Sequence, residues 1–245
     1  MIALMGDIHA NLQAFEAVME DARDKGARRF GLLGDYVGYG GDPESVLDRV
    51  MDLVDKGASA VRGNHDDMAA DFDREMNPTA ARAANWTRDR LRADQRDFLD
   101  TLPLTHREGD RLHVHADASA PERWRYVNGV ASAGASLAAT DARVVVCGHV
   151  HEPAMYAATA DGRHARHKPQ PGQIIPLLAS RRWHIVLPSV GQPRDGDPTA
   201  GYALLSDDGG EVTFHRVPYD IEAAAAAIRR AELPAGLAAR LFKGR

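Results

Sequence analysis

The sequence predicts an α/β protein whose strands end in polar side chains beside glycine. Three observations carry this expectation. The first 65 residues alternate short apolar runs with stretches of helical periodicity. The apolar runs end repeatedly in Asp, His and Asn next to glycine. From about residue 153 onward, short strands predominate.

Ile2–Met5 is a strand candidate, followed by a helix over 12–25 in which Leu12, Phe15, Val18, Met19 and Ala22 recur at helical spacing. Residues 29–33 form a second strand, 43–56 a helix with proline in its first turn, and 58–62 a third strand. The order β-α-β-α-β predicts a parallel sheet covered by helices. An Ala- and Arg-rich helical insert follows, over about 67–102, anchored by Trp86, Leu91, Phe98 and Leu99. Residues 104–115 read as a hairpin around Gly109-Asp110, and Val144–Cys147 as a buried strand. Strands are expected at 183–187, 202–206 and Glu211–Val217, with Asp208-Gly209-Gly210 as a tight turn between the last two. C-terminal helices at about 220–242 close a single expected domain over 1–245, without repeats or linkers.

Of the 245 residues, 44% are apolar and 27% charged, enough to bury one large core and contrary to disorder. A formal charge of −5 argues against a duplex-DNA binder, which presents a basic face. The single cysteine, Cys147, fits a reducing compartment. The opening MIALMGDIHAN lacks the pattern of a signal peptide, and no apolar run approaches 18 residues, so a cytoplasmic protein without membrane contact is expected.

Five polar clusters follow apolar runs: Gly6-Asp7-Ile8-His9, Gly34-Asp35, Gly63-Asn64-His65-Asp66, His113-Val114-His115-Ala116 and Gly148-His149-Val150-His151. Ligands of open α/β sheets bind beyond the carboxyl ends of the strands, so the clusters are expected to share one crevice. Singly, each reads as a turn or helix cap; together they read as a metal site. Oxygen and imidazole donors without thiolate suit divalent Mn, Fe or Zn rather than a structural cysteine site. Two divalent ions carry four positive charges. Asp7, Asp35 and a bridging hydroxide offset three, leaving about one positive charge to receive a phosphate.

The five clusters, in this order, resemble the calcineurin-like metallophosphoesterases. Gly34-Asp35-Tyr36-Val37-Gly38-Tyr39-Gly40, the insert with Asn77 and Trp86-Thr87-Arg88, and Val190-Gly191-Gln192-Pro193-Arg194-Asp195-Gly196 are similar to the small bacterial and archaeal branch. The resemblance implies a two-sheet β-sandwich flanked by helices, a four-layer α/β/β/α fold. It also implies two divalent cations, with manganese the default and Fe, Zn or Ni alternatives. Asp7, His9, Asp35 and His151 would hold the first; Asp35 would bridge to the second, completed by Asn64, His115 and His149. His65 would face the scissile phosphate and protonate the leaving oxygen, with Asp66 orienting it, while a bridging hydroxide attacks phosphorus.

The implied activity is hydrolysis of phosphoester or phosphoanhydride bonds, by a phosphodiesterase or a nucleotide or dinucleoside-polyphosphate hydrolase. A phosphomonoesterase or protein phosphatase is the alternative, and a metal-binding scaffold the non-enzymatic one. A phosphorylated small molecule or nucleotide is the expected partner. The oligomeric state is left open.

The chain departs from the family pattern at Ala116, where glycine is usual, and at Val186-Leu187-Pro188-Ser189, where relatives carry Asn-Pro-Gly-Ser. His113 competes with His115 as ligand, being two residues back on the same strand face. His115 is preferred as the last residue before the turn. Arg194 is a candidate phosphate contact, its other role being to tie Asp195 or a loop carbonyl. The basic stretch 160–184, with Arg163, Arg166, Lys168, Arg181 and Arg182, reads as a solvated hairpin or as a rim for polyanionic substrates. Trp86 and Trp124 are expected to pack rather than frame a base.

Overall fold

The computed structural model describes residues 1–70, 78–159 and 161–245. Asn77 and the rest of the insert over 71–77 lie outside the described residues, as does residue 160 of the basic stretch. Strand β1 (Ile2–Met5) leads into helix α1 (Leu12–Asp24), whose first turn is capped by the Asn11 side chain accepting from Ala14 N at 3.1 Å. Then come β2 (Arg29–Leu32), α2 (Pro43–Asp55, with proline at its start) and β3 (Ser59–Ala60). The last is shorter than its apolar run. Val61 N still bonds Leu32 O, but Arg62 N turns to Pro103 O and leaves the sheet.

The insert supplies α3 (Asn64–Ala70), α4 (Pro78–Arg90) and α5 (Ala93–Thr101). Leu91 and Leu99 are buried, whereas Trp86 is half-buried with the Arg90 guanidinium 5.3 Å above its ring. The hairpin β4 (Thr105–Glu108) and β5 (Arg111–Val114) turns at Gly109-Asp110. Beyond it lie α6 (Val130–Ala138), β6 (Val144–Cys147), β7 (Ala154–Thr159), β8 (His164–His167), β9 (Ile174–Pro176) and β10 (Arg181–Val186). The chain ends with β11 (Ala200–Leu205), β12 (Glu211–Val217), α7 (Ile221–Arg230, capped by Asp220) and α8 (Ala235–Leu241).

Among the described residues the strands form two six-stranded mixed sheets, β3-β2-β1-β11-β12-β9 and β4-β5-β6-β10-β7-β8. The β-α-β-α-β start does give parallel β1, β2 and β3, but β11 continues that sheet antiparallel to β1. Alternation along the strands builds the layers. Ile2 and Leu4 of β1 face Val144 and Val146 of β6 in the core between the sheets. Ala3 and Met5 turn the other way, onto Phe15, Val18 and Met19 of α1, while Val145 and Cys147 pack under Ala133 and Leu137 of α6. The result is the helix–sheet–sheet–helix sandwich. No helix among the described residues is long and apolar enough to cross a membrane.

Candidate metal centre

The strand-end clusters meet at one edge of the sandwich. Asp7 N and His9 N bond Gly34 O (3.0 Å) and Asp35 O (2.9 Å), so the loops after β1 and β2 run side by side. Gly191 N bonds Asp7 O, and buried Ser189 donates to the same carbonyl at 2.8 Å while accepting from Gln192 N. This serine thus organises the turn that follows Val186-Leu187-Pro188.

Asp7, His9, Asp35, His149 and His151 all have left-handed backbones, with φ between 49° and 67°. Such conformations cost about 1–3 kcal/mol each and persist where surrounding structure enforces them. Each reverses the chain at a strand end and turns a side chain into the crevice. The glycines serve this approach. A Cβ at Gly148 would lie 2.5 Å from Asp7 Oδ2, and one at Gly63 would lie 2.3 Å from Asp35 N.

Two donor sets result: Asp7, His9, Asp35 and His151, and Asp35, His115 and His149, each with its atoms mutually within 4.8 Å. Asp35 belongs to both. Its Oδ2 lies 3.3 Å from His115 Nε2 and 3.7 Å from His9 Nε2, while Oδ1 accepts from His65 N at 2.8 Å. Asn64 Oδ1 is 3.2 Å from His115 Nε2. His113 joins neither set. It lies buried between the sheets opposite Gly31, and neither ring nitrogen has a hydrogen-bond partner among the described residues.

The imidazoles show that cations fit this site. Nδ1 of His9, His115 and His151 faces the carbonyls of Val37 (3.1 Å), Leu33 (2.7 Å) and Gln192 (2.6 Å). A carbonyl only accepts, which assigns the proton to Nδ1 and a lone pair to Nε2. Yet His9 Nε2 lies 3.1 Å from His151 Nε2, His115 Nε2 lies 3.1 Å from His149 Nδ1, and His151 Nε2 lies 3.2 Å from Asp7 Oδ1. With the rings neutral, acceptors converge on acceptors in a buried space, an arrangement that a cation or an added proton relieves and that the carbonyl anchors orient.

The electrostatics agree. Burial pushes His9 well below the ordinary imidazole range, and His149 and His65 to about 3 and about 4. Burial opposes ionisation of Asp7 and Asp35, but His151 and His115 respectively hold both carboxyls well below their usual range. His115 is the exception among the rings. Burial disfavours its charge, but Asp35 lifts it to about 9.

Asp66 corrects the sequence expectation. It does not reach His65. Its Oδ2 accepts from Asp35 N (2.8 Å) and Gly63 N (2.9 Å), and its Oδ1 from Tyr36 N (2.8 Å) and Val37 N (3.3 Å). It clamps the loop that carries Asp35 to the start of α3. Burial and the Asp35 charge raise it to about 7. His65 is held by packing instead. Its ring stands edge-on to His9 at 4.9 Å, lies 4.4 Å from the Tyr39 ring, and sets Nδ1 against Gly38, where a Cβ would come within 2.5 Å.

Arg194 bonds Gln192 Oε1 at 2.9 Å, and Asp195 is tied by Arg216 rather than by Arg194. In the basic stretch, Arg163 pairs with Asp161 and Arg182 donates to the carbonyls of Thr140 and Ala142. Trp124 packs edge-on to His115 at 5.8 Å. Sequence reasoning missed Tyr126, which is 51% exposed and stacked on His149 at 4.1 Å.

A two-sheet sandwich with this set of oxygen and imidazole donors at its edge defines a metal-dependent phosphoesterase class of fold. The chain belongs to the calcineurin-like phosphoesterase superfamily, whose family model matches residues 1–209. It is 33% identical to an uncharacterised protein of Methanocaldococcus jannaschii, covering all of this chain and 98% of that protein. The crystal structure of a metallophosphoesterase from Sphaerobacter thermophilus is 36% identical and superposes with a TM-score of 0.87, over 100% of this chain and 98% of that one. A hypothetical protein from Pyrococcus horikoshii shares the fold, with a TM-score of 0.81 at 19% identity, over 100% and 99% of the two chains.

Proposed function

We propose that the protein hydrolyses phosphoester or phosphoanhydride bonds at a dinuclear metal centre. The observation that carries this reading is Asp35, whose one carboxylate oxygen faces the imidazole nitrogens of both donor sets. Asp7, His9, Asp35 and His151 hold one cation; Asp35, Asn64, His115 and His149 hold the other. Divalent ions, manganese by default, supply Lewis acidity and ionise water at neutral pH when bound. His65, buried beside the first set, hydrogen-bonds a phosphoryl oxygen and delivers a proton to the leaving oxygen. Negative charge on a bound substrate favours the protonated ring. The substrate class that fits best is a nucleotide or dinucleoside polyphosphate, because the exposed Tyr126 ring flush on His149 offers a base a stacking surface. A cytoplasmic setting accords with the buried thiol Cys147.

The test combines chelation with two variants. Exhaustive chelation abolishes turnover, and manganese restores it. Asp35→Ala loses both cations by metal analysis, whereas His65→Ala retains both and loses about 10²–10⁴-fold in kcat. Full turnover by verified metal-free protein would overturn the mechanism, and loss of metal from His65→Ala would overturn the assignment of His65.

A further inference from the structure

The C-terminal helix α8 brings Arg240 up to the border of the candidate metal centre. Arg240, in the last turn of α8, donates from Nη1 to Gln192 Oε1 at 3.3 Å, and Arg194 Nη2 donates to the same oxygen at 2.9 Å. Both guanidinium carbons also stand over the Tyr39 ring, 6.0 Å and 5.9 Å from its centroid. Two cations therefore share one neutral acceptor and one ring. Among the described residues, the nearby carboxylates Asp195 and Asp197 each direct an oxygen to Arg216 rather than to this pair. Burial and then the Arg194 charge hold the Arg240 guanidinium below the usual arginine range, which marks two like charges in close approach.

The pair borders the metal centre. The Tyr39 ring lies 4.8 Å from His9 and 4.4 Å from His65. Gln192, which both arginines grip, presents its own backbone carbonyl to His151 Nδ1 at 2.6 Å. Holding Gln192 in place requires only one of them. A second guanidinium on the same oxygen adds like-charge repulsion, which an anion completing the set would offset.

We propose that Arg194 and Arg240 form an anion subsite beside the metal centre, which takes the second phosphoryl group of a substrate whose scissile phosphate is joined to another phosphate. This rests on the hydrolase reading of the centre and narrows it to phosphoanhydrides over simple monoesters. Arg240 acts as a specificity residue. Its planar fork matches phosphate oxygens, while Tyr39 carries the apolar face of both guanidinium groups.

The probe is α,β-methylene adenosine diphosphate, which carries two phosphoryl groups and cannot be cleaved between them. Its affinity for the full-length protein is measured by calorimetry. Arg240→Gln weakens binding by about tenfold to hundredfold, the scale of a lost charge-assisted contact, and Arg240→Lys falls between the two. The same substitution lowers the ratio of kcat/KM for adenosine diphosphate to that for p-nitrophenyl phosphate by at least tenfold. Thermal melts establish that both variants are folded. Equal affinity of wild type and Arg240→Gln for the analogue would overturn the subsite. Weakened binding with no turnover of either substrate by the wild type would sustain the subsite and overturn the hydrolase reading.

Discussion

Asp66→Asn separates a structural clamp from a catalytic partner. The change keeps the shape of the side chain but turns one acceptor oxygen into a donor. In one amide orientation the new NH₂ faces the N–H groups of Asp35 and Gly63; in the other it faces those of Tyr36 and Val37. Two buried donors lose their acceptor either way, at about 1–3 kcal/mol each, so the expected loss is about 2–6 kcal/mol. For a chain of this size each kcal/mol moves the melting temperature by about 2–4 °C, so a fall of at least about 4 °C is expected. The assay is thermal unfolding of chelated protein at pH 8, above the value of about 7 to which burial and Asp35 raise this carboxyl. The loss should persist in a His65→Ala background, because the clamp does not act through that ring. An unchanged unfolding midpoint combined with lost turnover would return Asp66 to the role of orienting His65.

Two further outcomes follow from the histidines. His115→Ala should sharply lower the content of one of the two cations, whereas His113→Ala should leave both in place. Metal analysis per chain checks this, and the reverse ranking would move the ligand to His113. His184, buried in β10 with Nε2 2.9 Å from Ser136 Oγ, is pushed by burial to about 4, against about 6.5 in the unfolded chain. The unfolded state therefore takes up the proton first, and stability falls as pH drops from about 6.5 toward 4, by at most about 3 kcal/mol. His184→Gln should flatten unfolding free energy across that window; an identical slope in both proteins would show that the proton is taken up elsewhere.

Much of the centre was legible because its residues sit at strand ends, and strand ends are marked by apolar runs breaking at glycine. Asp7, Asp35 and the Gly148-His149-Val150-His151 turn could be read this way. The sandwich was not legible from periodicity. The opening strands do run parallel, but their sheet is completed by β11 and β12 from far along the chain, a pairing that only the family resemblance implied. Asp66 was misassigned because its partners are backbone N–H groups at residues 35–37 and 63, and a sequence does not display which way a backbone points. Arg240 carries no motif and meets Gln192 48 residues away. The edge strand β9, which pairs with β12 next to a proline-rich turn, has too few residues to show a period.

The left-handed turns beneath the ligands set a condition on how the protein matures. Five such residues together represent about 5–15 kcal/mol, comparable to the whole stability of a typical domain. Newly made chains should thus be at their most fragile before they acquire metal, and cation supply should limit how much protein accumulates in a cell as well as how fast it works. Loading then stabilises the folded state in proportion to the logarithm of free cation over its dissociation constant. Starvation for metal would be read out first as turnover of the polypeptide.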